Sequence, residues 1–222
     1  MLALNLLSRD SAAPLSLLFL GAHCDDIEIG CGGTTLQLLA QQPDVHVTWV
    51  VFSSSAQRER EARASAALFL AQASGPKNVI VHQFRDGFFP YEGARVKESF
   101  EELKKTVRPD VIFTHYRDDR HQDHRTISDL TWNTWRQHFI LEYEIPKYDG
   151  DLGAPNCFVP LDRTVGERKA RYIRDQFQSE RDKGWMTEDT FLALSRLRGV
   201  ECAAPSGYAE AFYCRKFVLS PA

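Results

Sequence analysis

The chain has 222 residues, of which 43% are hydrophobic and 26% charged, and its 27 Lys and Arg residues against 30 Asp and Glu residues give a net charge of −3. This composition is typical of a globular protein with one large or two small domains. The near balance of charges excludes the strongly basic surface of a dedicated nucleic-acid-binding protein and a polybasic membrane anchor. No apolar run approaches the ~18 residues that a membrane helix needs.

Five cysteines are spread along the chain without a CxxC pair: Cys24, Cys31, Cys157, Cys202 and Cys214. An odd number in a chain of this length argues against a disulfide framework and favours a reducing compartment, which predicts a cytoplasmic protein. The apolar N-terminal stretch could be mistaken for a signal peptide. Because Arg9 and Asp10 interrupt it, we interpret it as the approach to a first strand and not as a targeting segment.

Apolar runs and helical repeats alternate through the first half of the chain. Short apolar or β-branched runs predict four strands, at 15–20, 45–52, 79–82 and 111–115. Apolar residues at helical spacing predict three intervening helices, at 34–42, 57–73 and 94–107. This alternation predicts an α/β fold, a Rossmann-like and mostly parallel sheet with helices on both faces.

The second half is less regular. Residues 124–139 have helical spacing, with Trp132, Trp135 and Phe139 on one face, and residues 143–162 are rich in Pro and Gly. Two more predicted helices, at about 165–178 and 187–198, precede a last strand near 211–218. No repeat or convincing linker divides the chain, so we predict a single domain over residues 1–222.

Two polar clusters, at 21–28 and 115–124, follow directly after the first and fourth predicted strands. Ligands bind at the carboxyl ends of the strands in open α/β sheets, so both clusters should meet at one edge. Imidazole and carboxylate together suit a borderline divalent metal, zinc above all, and a His/Asp/His set leaves one position open for water. Either cluster alone more often indicates an ordinary polar loop, and only their combination favours a metal site.

These residues also show a family resemblance. The segment 21–34 contains His23, Asp25 and Asp26 before a Gly-Gly-Thr triplet, and it resembles the AHPDD…GGT motif of the PIG-L/LmbE-like zinc-dependent N-acetyl amino-sugar deacetylase family. The end of the second cluster, at 121–125, resembles the H-x-D-H-R motif of that family. Weaker similarity continues in two further segments, 58–61 (Arg-x-x-Glu) and 208–212 (Tyr-x-Glu-Ala-Phe).

The resemblance implies a metal-dependent hydrolase that removes an N-acetyl or other N-acyl group from an amino sugar or glycoconjugate. It assigns His23, Asp26 and His124 as metal ligands, Asp25 as general base, His121 as stabiliser of the tetrahedral intermediate, and Asp123 as the carboxylate that orients His121. Zn²⁺ is the implied cofactor, with Fe²⁺ or another divalent metal as the alternative. Cys24 replaces the proline of the family motif, and we interpret it as a small buried space-filler.

Arg58 and Arg117 are the candidate substrate-binding residues, because a guanidinium suits hydroxyl-rich or phosphorylated ligands. For both, the alternative is a solvated surface charge. Asp119 is either a support for the metal site or an ordinary turn residue, and Trp185 is a candidate for stacking on a sugar. The expected partner is a small N-acetylated sugar or glycoconjugate, without nucleic acid or membrane insertion, and self-association into a homo-oligomer stays open.

Other function classes remain as alternatives. An amidase of the same fold could cleave a non-sugar or longer-chain amide, and a non-catalytic relative could keep only the metal site. The stretch Gly30-Cys31-Gly32-Gly33 does not match the G-x-G-x-x-G fingerprint of dinucleotide-binding enzymes. No G-x-S-x-G is present, which disfavours a serine hydrolase.

Overall fold

The computed structural model describes residues 13–218 and shows seven strands and six α-helices among them. The strands are β1 (Leu15–Gly21), β2 (Val45–Ser53), β3 (Lys77–Phe84), β4 (Val111–His115), β5 (Phe139–Tyr143), β6 (Cys157–Leu161) and β7 (Tyr208–Cys214). The helices are α1 (Asp26–Gln41), α2 (Ala56–Phe69), α3 (Gly93–Thr106), α4 (Gln122–Thr134), α5 (Arg163–Gln176) and α6 (Glu188–Glu201), and a short 3-10 helix covers Gln178–Glu180. The interrupting residues Arg9 and Asp10 lie outside the described residues.

All seven strands form one sheet, in the order β3-β2-β1-β4-β5-β7-β6. The five strands from β3 to β5 are parallel, whereas β7 pairs antiparallel with both β5 and β6. The predicted α/β fold with a mostly parallel sheet is therefore confirmed. No helix within residues 13–218 is long and apolar enough to cross a membrane.

Separate hydrophobic clusters cover the two faces of the sheet. Leu17 and Phe19 of β1 belong to the cluster under α1, α2, α5 and α6, while Leu18 and Leu20 belong to the cluster under α3 and α4. A strand that is buried on both faces needs apolar residues at every position, which explains the continuous apolar run of β1. Each fully buried side chain of this size contributes ~1.5–3 kcal/mol of transfer free energy.

The order of the strands fixes where a site can form. β1 and β4 are neighbours in the sheet, but the chain continues from β1 to β2 on one side and from β4 to β5 on the other. Such a switch point leaves a crevice at the carboxyl ends of the two strands, where open α/β sheets bind ligands. The two polar clusters of the sequence follow these two strands.

Some predicted boundaries are wrong. The helix predicted over 124–139 begins at Gln122 and ends at Thr134, and Phe139 starts β5, so it does not share a helix face with Trp132 and Trp135. The Pro-rich and Gly-rich stretch 143–162 contains β6. Pro160 is tolerated there because β6 is an edge strand, paired only with β7.

The first helix also differs from its prediction. α1 begins at Asp26, not at residue 34, and has a kink at Cys31, where φ is −144° and ψ is 17°. The kink frees backbone amides, and the Glu210 carboxylate of β7 accepts hydrogen bonds from those of Gly33 and Thr34 at 2.8 and 2.6 Å. The remaining predicted elements are present with different ends, such as α2 ending at Phe69.

Candidate metal centre

The candidate ligands come from the starts of two helices. His23 and Asp26 lie in the turn from β1 into α1, and His124 lies in the first turn of α4, which follows β4. Asp25 is the N-cap residue of α1 and His121 is the N-cap residue of α4. The switch point of the sheet therefore brings both clusters of the sequence together.

His23, Asp26 and His124 converge on one point. His23 Nδ1 lies 3.1 Å from His124 Nε2 and 3.3 Å from Asp26 Oδ2, and His124 Nε2 lies 3.4 Å from Asp26 Oδ1. Ligand distances of about 2.0 Å in a tetrahedral zinc site separate neighbouring ligand atoms by about 3.3 Å. The two nitrogens have this spacing, and each has a different Asp26 oxygen at a similar distance, so these three side chains could hold a divalent ion.

The cluster of candidate ligands also favours positive charge. Burial lowers the pKa of His23, but nearby carboxylates, first among them Asp26 and then Asp123, outweigh it and hold the pKa well above its ordinary value. Burial lowers the pKa of His124 as well, but Asp26 and Asp119 outweigh burial, so this pKa is also raised above its ordinary value. A bound divalent cation would neutralise this excess of carboxylate.

Asp119 supports one of the ligands. Its Oδ2 lies 2.9 Å from His124 Nδ1, which leaves Nε2 of that ring to face the other two ligands. The Lys147 ammonium donates to the same Asp119 oxygen at 3.0 Å. Carboxylate–histidine pairs of this kind fix the tautomer and the orientation of a ligating imidazole. Asp119 is therefore not an ordinary turn residue.

His115 lies beside the ligands but is held differently. Its Nε2 accepts a hydrogen bond from the Ala22 amide at 2.9 Å, and its ring stacks on His124 with centroids 4.0 Å apart. Burial and His124 lower the pKa of His115 to about 4, so the ring is neutral near pH 7. Because the Nε2 lone pair is already used, His115 packs the site and is a poorer ligand. In the sequence, only its position at the end of β4 indicated that His115 lies near the site.

Asp25 and Arg58 lie beside the candidate ligands. Burial and the neighbouring Asp26 raise the pKa of Asp25 to about 6, although Arg58 opposes them. Arg58 Nη2 lies 3.4 Å from Asp25 Oδ1 and 3.3 Å from Glu180 Oε1. The Arg58 side chain is only 15% exposed, so it is not a solvated surface charge. Glu180 comes from the 3-10 helix, and no sequence pattern pointed to it.

The Asp123 carboxylate does not contact the His121 side chain in the described residues. Its Oδ2 accepts a hydrogen bond from the Gly87 amide at 2.6 Å, and its Oδ1 accepts one from the Phe89 amide at 3.1 Å. Oδ2 also lies 3.4 Å from His23 Nε2. The link to His121 is a backbone one, since the Asp123 amide donates to His121 Nδ1 at 3.3 Å.

Asp86 is a further acid that no sequence motif indicated. Its Oδ1 lies 3.1 Å from His23 Nε2, and its Oδ2 lies 3.7 Å from Arg58 Nη1. The hydrogen bond with His23 is the main reason why the pKa of Asp86 falls to about 2. With its side chain 58% exposed, Asp86 is an acceptor beside His23 that solvent can reach.

Three other candidates lie outside the ligand cluster. Arg117 lies 3.4 Å from Glu142 and over the Trp132 ring, with no described contact to the ligands. Cys24 is fully buried and donates to the Ser53 carbonyl at 3.3 Å, and burial raises the pKa of its thiol, as expected of a space-filler. Trp185 is partly buried against the core on the α1 face.

Comparison with known structures shows a shared fold. The N,N'-diacetylchitobiose deacetylase from Pyrococcus horikoshii is 23% identical, with a TM-score of 0.69 over 90% of this chain and 83% of that chain. The conserved protein TT1542 from Thermus thermophilus is 19% identical, with a TM-score of 0.70 over 93% and 97%. GalB, the 4-carboxy-2-hydroxymuconate hydratase from Pseudomonas putida, is 17% identical, with a TM-score of 0.72 over 94% and 99%. A fold that also serves a hydratase does not by itself select a reaction.

The family assignment is more specific than the fold. Residues 18–135, more than half of the chain, match the family described as PIG-L: GlcNAc-PI de-N-acetylase. This range includes the first polar cluster after β1 and the second after β4. The chain therefore belongs to the PIG-L family of deacetylases.

Proposed function

We propose that this protein is a zinc-dependent N-deacetylase that hydrolyses the N-acyl group of an N-acetylated amino sugar or glycoconjugate. The observation that carries the proposal is the convergence of His23, Asp26 and His124 within 3.4 Å of one another, atom to atom. Membership of a deacetylase family supports the reaction class. Fe²⁺ is the alternative metal, since both ions accept nitrogen and carboxylate ligands.

The proposed reaction divides its work among a few side chains. A divalent ion held by His23, Asp26 and His124 would lower the pKa of a bound water and polarise the acyl carbonyl. Asp25 is the general base, and its pKa of about 6 leaves the carboxylate ionised near pH 7 and able to accept a proton. Arg58, 3.4 Å from Asp25 Oδ1, orients that carboxylate.

His121 stabilises the oxyanion in this proposal. Its Nδ1 accepts the Asp123 amide hydrogen, so a neutral ring has its proton on Nε2, the atom that can donate to the substrate. One such donor contributes ~3 kcal/mol to the stability of a transition state. As the carbon–nitrogen bond breaks, Asp25 returns its proton to the departing amine, and the products are a free amine and a carboxylate.

Two polar groups beside the candidate ligands account for binding of the sugar in this proposal. Arg58 and the exposed carboxylate of Asp86 are the polar groups beside the ligands, and both can hydrogen-bond to hydroxyl groups. Arg117 is held by Glu142 and plays no part in this proposal. All five cysteines are free, which fits a reducing compartment, and we place the enzyme in the cytoplasm.

The test pairs metal content by elemental analysis with release of acetate from a panel of N-acetylated amino sugars. We expect about one zinc or iron per chain, as a single tetrahedral site implies, and release that a chelator abolishes. The His23→Ala variant should lose both metal and activity. If metal binds but no sugar is hydrolysed, longer acyl chains and non-sugar amides are assayed next. Absence of both metal and hydrolysis, even with metal added back, would overturn the proposal and favour a non-catalytic protein that has kept only the fold.

A further inference from the structure

Asp123 is fully buried and touches two separate segments of the chain. One is the turn around Gly87, whose amide donates to Oδ2 at 2.6 Å, with Phe89 donating to Oδ1 at 3.1 Å. The other is the loop after β1, where His23 Nε2 lies 3.4 Å from the same Oδ2. A single carboxylate therefore joins the first turn of α4 to both of them.

The protonation of His23 explains why it needs an acceptor. Its Nδ1 faces Asp26 and His124, so the lone pair for a metal is on that nitrogen and the ring proton is on Nε2. Two carboxylates lie within reach of Nε2, those of Asp86 and Asp123. Asp86 is largely exposed, and water competes for it. Asp123 is fully buried, where a charge-assisted hydrogen bond is stronger.

The Gly87 turn places the second acceptor. Gly87 has a φ of +77°, a conformation that favours glycine, and its carbonyl accepts from Gln122 Nε2 at 3.1 Å. The amide and the carbonyl of Gly87 are thus both held by the first turn of α4. Asp86, the residue before it, is thereby kept beside His23.

We propose that Asp123 is a positioning residue for the metal ligand His23, acting through the ligand itself and through the Gly87 turn, and not through His121. The inference rests on the proposed function in that it takes His23 as a ligand. The only described hydrogen bond between Asp123 and His121 uses the Asp123 backbone amide, which a change of side chain leaves in place. Loss of a carboxylate that supports a ligating histidine lowers metal affinity by about 10–100-fold.

The experiment measures zinc affinity of the full chain by competition with a chromophoric chelator. Asp123→Asn keeps the shape of the side chain but removes its charge and one acceptor, and we expect zinc to bind about 10–100-fold more weakly. His121→Asn removes the imidazole but keeps a good N-cap residue, and its zinc affinity should be unchanged. The double variant should bind zinc as weakly as Asp123→Asn, with the two losses in kcat/KM adding.

Two further variants separate the routes. Gln122→Ala removes the hydrogen bond to the Gly87 carbonyl but keeps the contact between Asp123 and His23. It should therefore weaken zinc binding less than Asp123→Asn does. Gly87→Ala strains the turn because Gly87 has a positive φ, and it should also weaken zinc binding. This variant tests the inference if Asp123→Asn fails to fold. Hydrogen exchange of the Gly87 and Phe89 amides should speed up in Asp123→Asn.

The outcomes are distinct. Unchanged zinc affinity in folded Asp123→Asn, or a kcat/KM loss that disappears in the His121→Asn background, overturns this inference and leaves the proposed function intact. A wild-type protein that binds zinc but hydrolyses no amide defeats the proposed function alone. A wild-type protein that binds no zinc overturns both.

Discussion

Among the described residues, two of the clusters of buried polar side chains balance their charges in different ways. In the candidate metal centre, the imidazoles of His23 and His124 lie among carboxylates whose charge raises the pKa of both rings. The second cluster, which we call the structural charge cluster, consists of the pairs Lys169–Glu210 and Arg198–Glu144. Each cation of this cluster is paired with a buried carboxylate, and Arg198 also contacts the exposed Glu201, whereas the metal centre has an excess of negative charge.

The cations of the structural charge cluster are hydrogen-bonded to its carboxylates. Lys169 Nζ donates at 2.6 Å to both Glu210 Oε1 and the Ile29 carbonyl. Arg198 binds Glu144 through two hydrogen bonds, of 2.9 and 2.7 Å. Burial of a charge costs several kcal/mol, and a partner with good geometry offsets that cost. Charges that are paired within the chain support the fold, whereas the unbalanced carboxylates of the first cluster are what a bound cation would neutralise.

The strongest way to sharpen this comparison is to change a carboxylate of the metal centre that is not a ligand. Asp25→Asn should keep its metal, since His23, Asp26 and His124 are untouched, but lose turnover by about 10²–10⁴-fold because an amide cannot accept the proton. The measurement is kcat with an N-acetylated sugar, together with metal content. Full turnover in this variant would show that Asp25 is not the general base.

The same kind of change in the structural charge cluster should affect stability instead. Glu210→Ala leaves Lys169 buried without its partner, and we expect the free energy of unfolding to fall by about 3–5 kcal/mol. Denaturant unfolding measures this loss. Glu167→Ala, at an exposed pair with Arg163, is the control and should change stability by less than ~1 kcal/mol. If Glu210→Ala kept its stability but lost metal, the two clusters would not be separate.

Removal of metal should destabilise the protein through the first cluster only. Zinc at 100 times its dissociation constant adds about 2.7 kcal/mol to stability by mass action. A chelator should therefore lower the melting temperature, and added zinc should restore it. His124→Ala should show no such response, whereas a folded variant of the structural charge cluster should keep it. A zinc response in His124→Ala would place the metal elsewhere.

The smallest expected effect concerns His82, which lies between the rings of Phe52 and Phe84 and belongs to neither cluster. Burial lowers the pKa of His82 below its ordinary value of 6.5. The folded state thus binds fewer protons than the unfolded state, and the stability from the neutral ring is lost as the pH falls from 6.5 through the lower folded pKa. His82→Phe should flatten the decline of stability in that window, measured by urea unfolding at several pH values. An identical decline in both proteins would exclude His82 as a source.

The parts of the site that the sequence could predict lie in contiguous stretches after strands. His23 and Asp26 follow β1 directly, and the parallel order of the sheet places His124 opposite them. Asp86 and Glu180 could not be found in this way, because they come from a turn and from a short 3-10 helix that have no regular sequence pattern. Their positions depend on contacts with Arg58 that only the folded chain makes.

The same distinction holds for the fold. The sequence pattern assigns the start of β5 to the preceding helix, and β6 lies in the Pro-rich and Gly-rich stretch, so both strands depend on pairing with neighbours more than on a local pattern. The sequence did not predict that α1 begins at Asp26, because the first half of the helix contains glycines and glycine is a poor helix former. The structure shows why glycine is required: a Cβ at Gly30 would lie 2.2 Å from the Tyr143 ring, and one at Gly32 would lie 2.5 Å from Phe69.

The contact between Glu210 and the kink of α1 has a consequence for biosynthesis. All three candidate ligands have been synthesised by the time residue 124 is added. The Glu210 carboxylate, which caps the part of α1 that follows the kink, belongs to β7 and is added later. Synthesis proceeds at about 5–20 residues per second. For several seconds a nascent chain therefore contains all three candidate ligands but lacks the carboxylate that hydrogen-bonds to α1 at its kink. We expect metal acquisition to follow completion of the chain, so that the ions available at that moment decide which metal the enzyme holds.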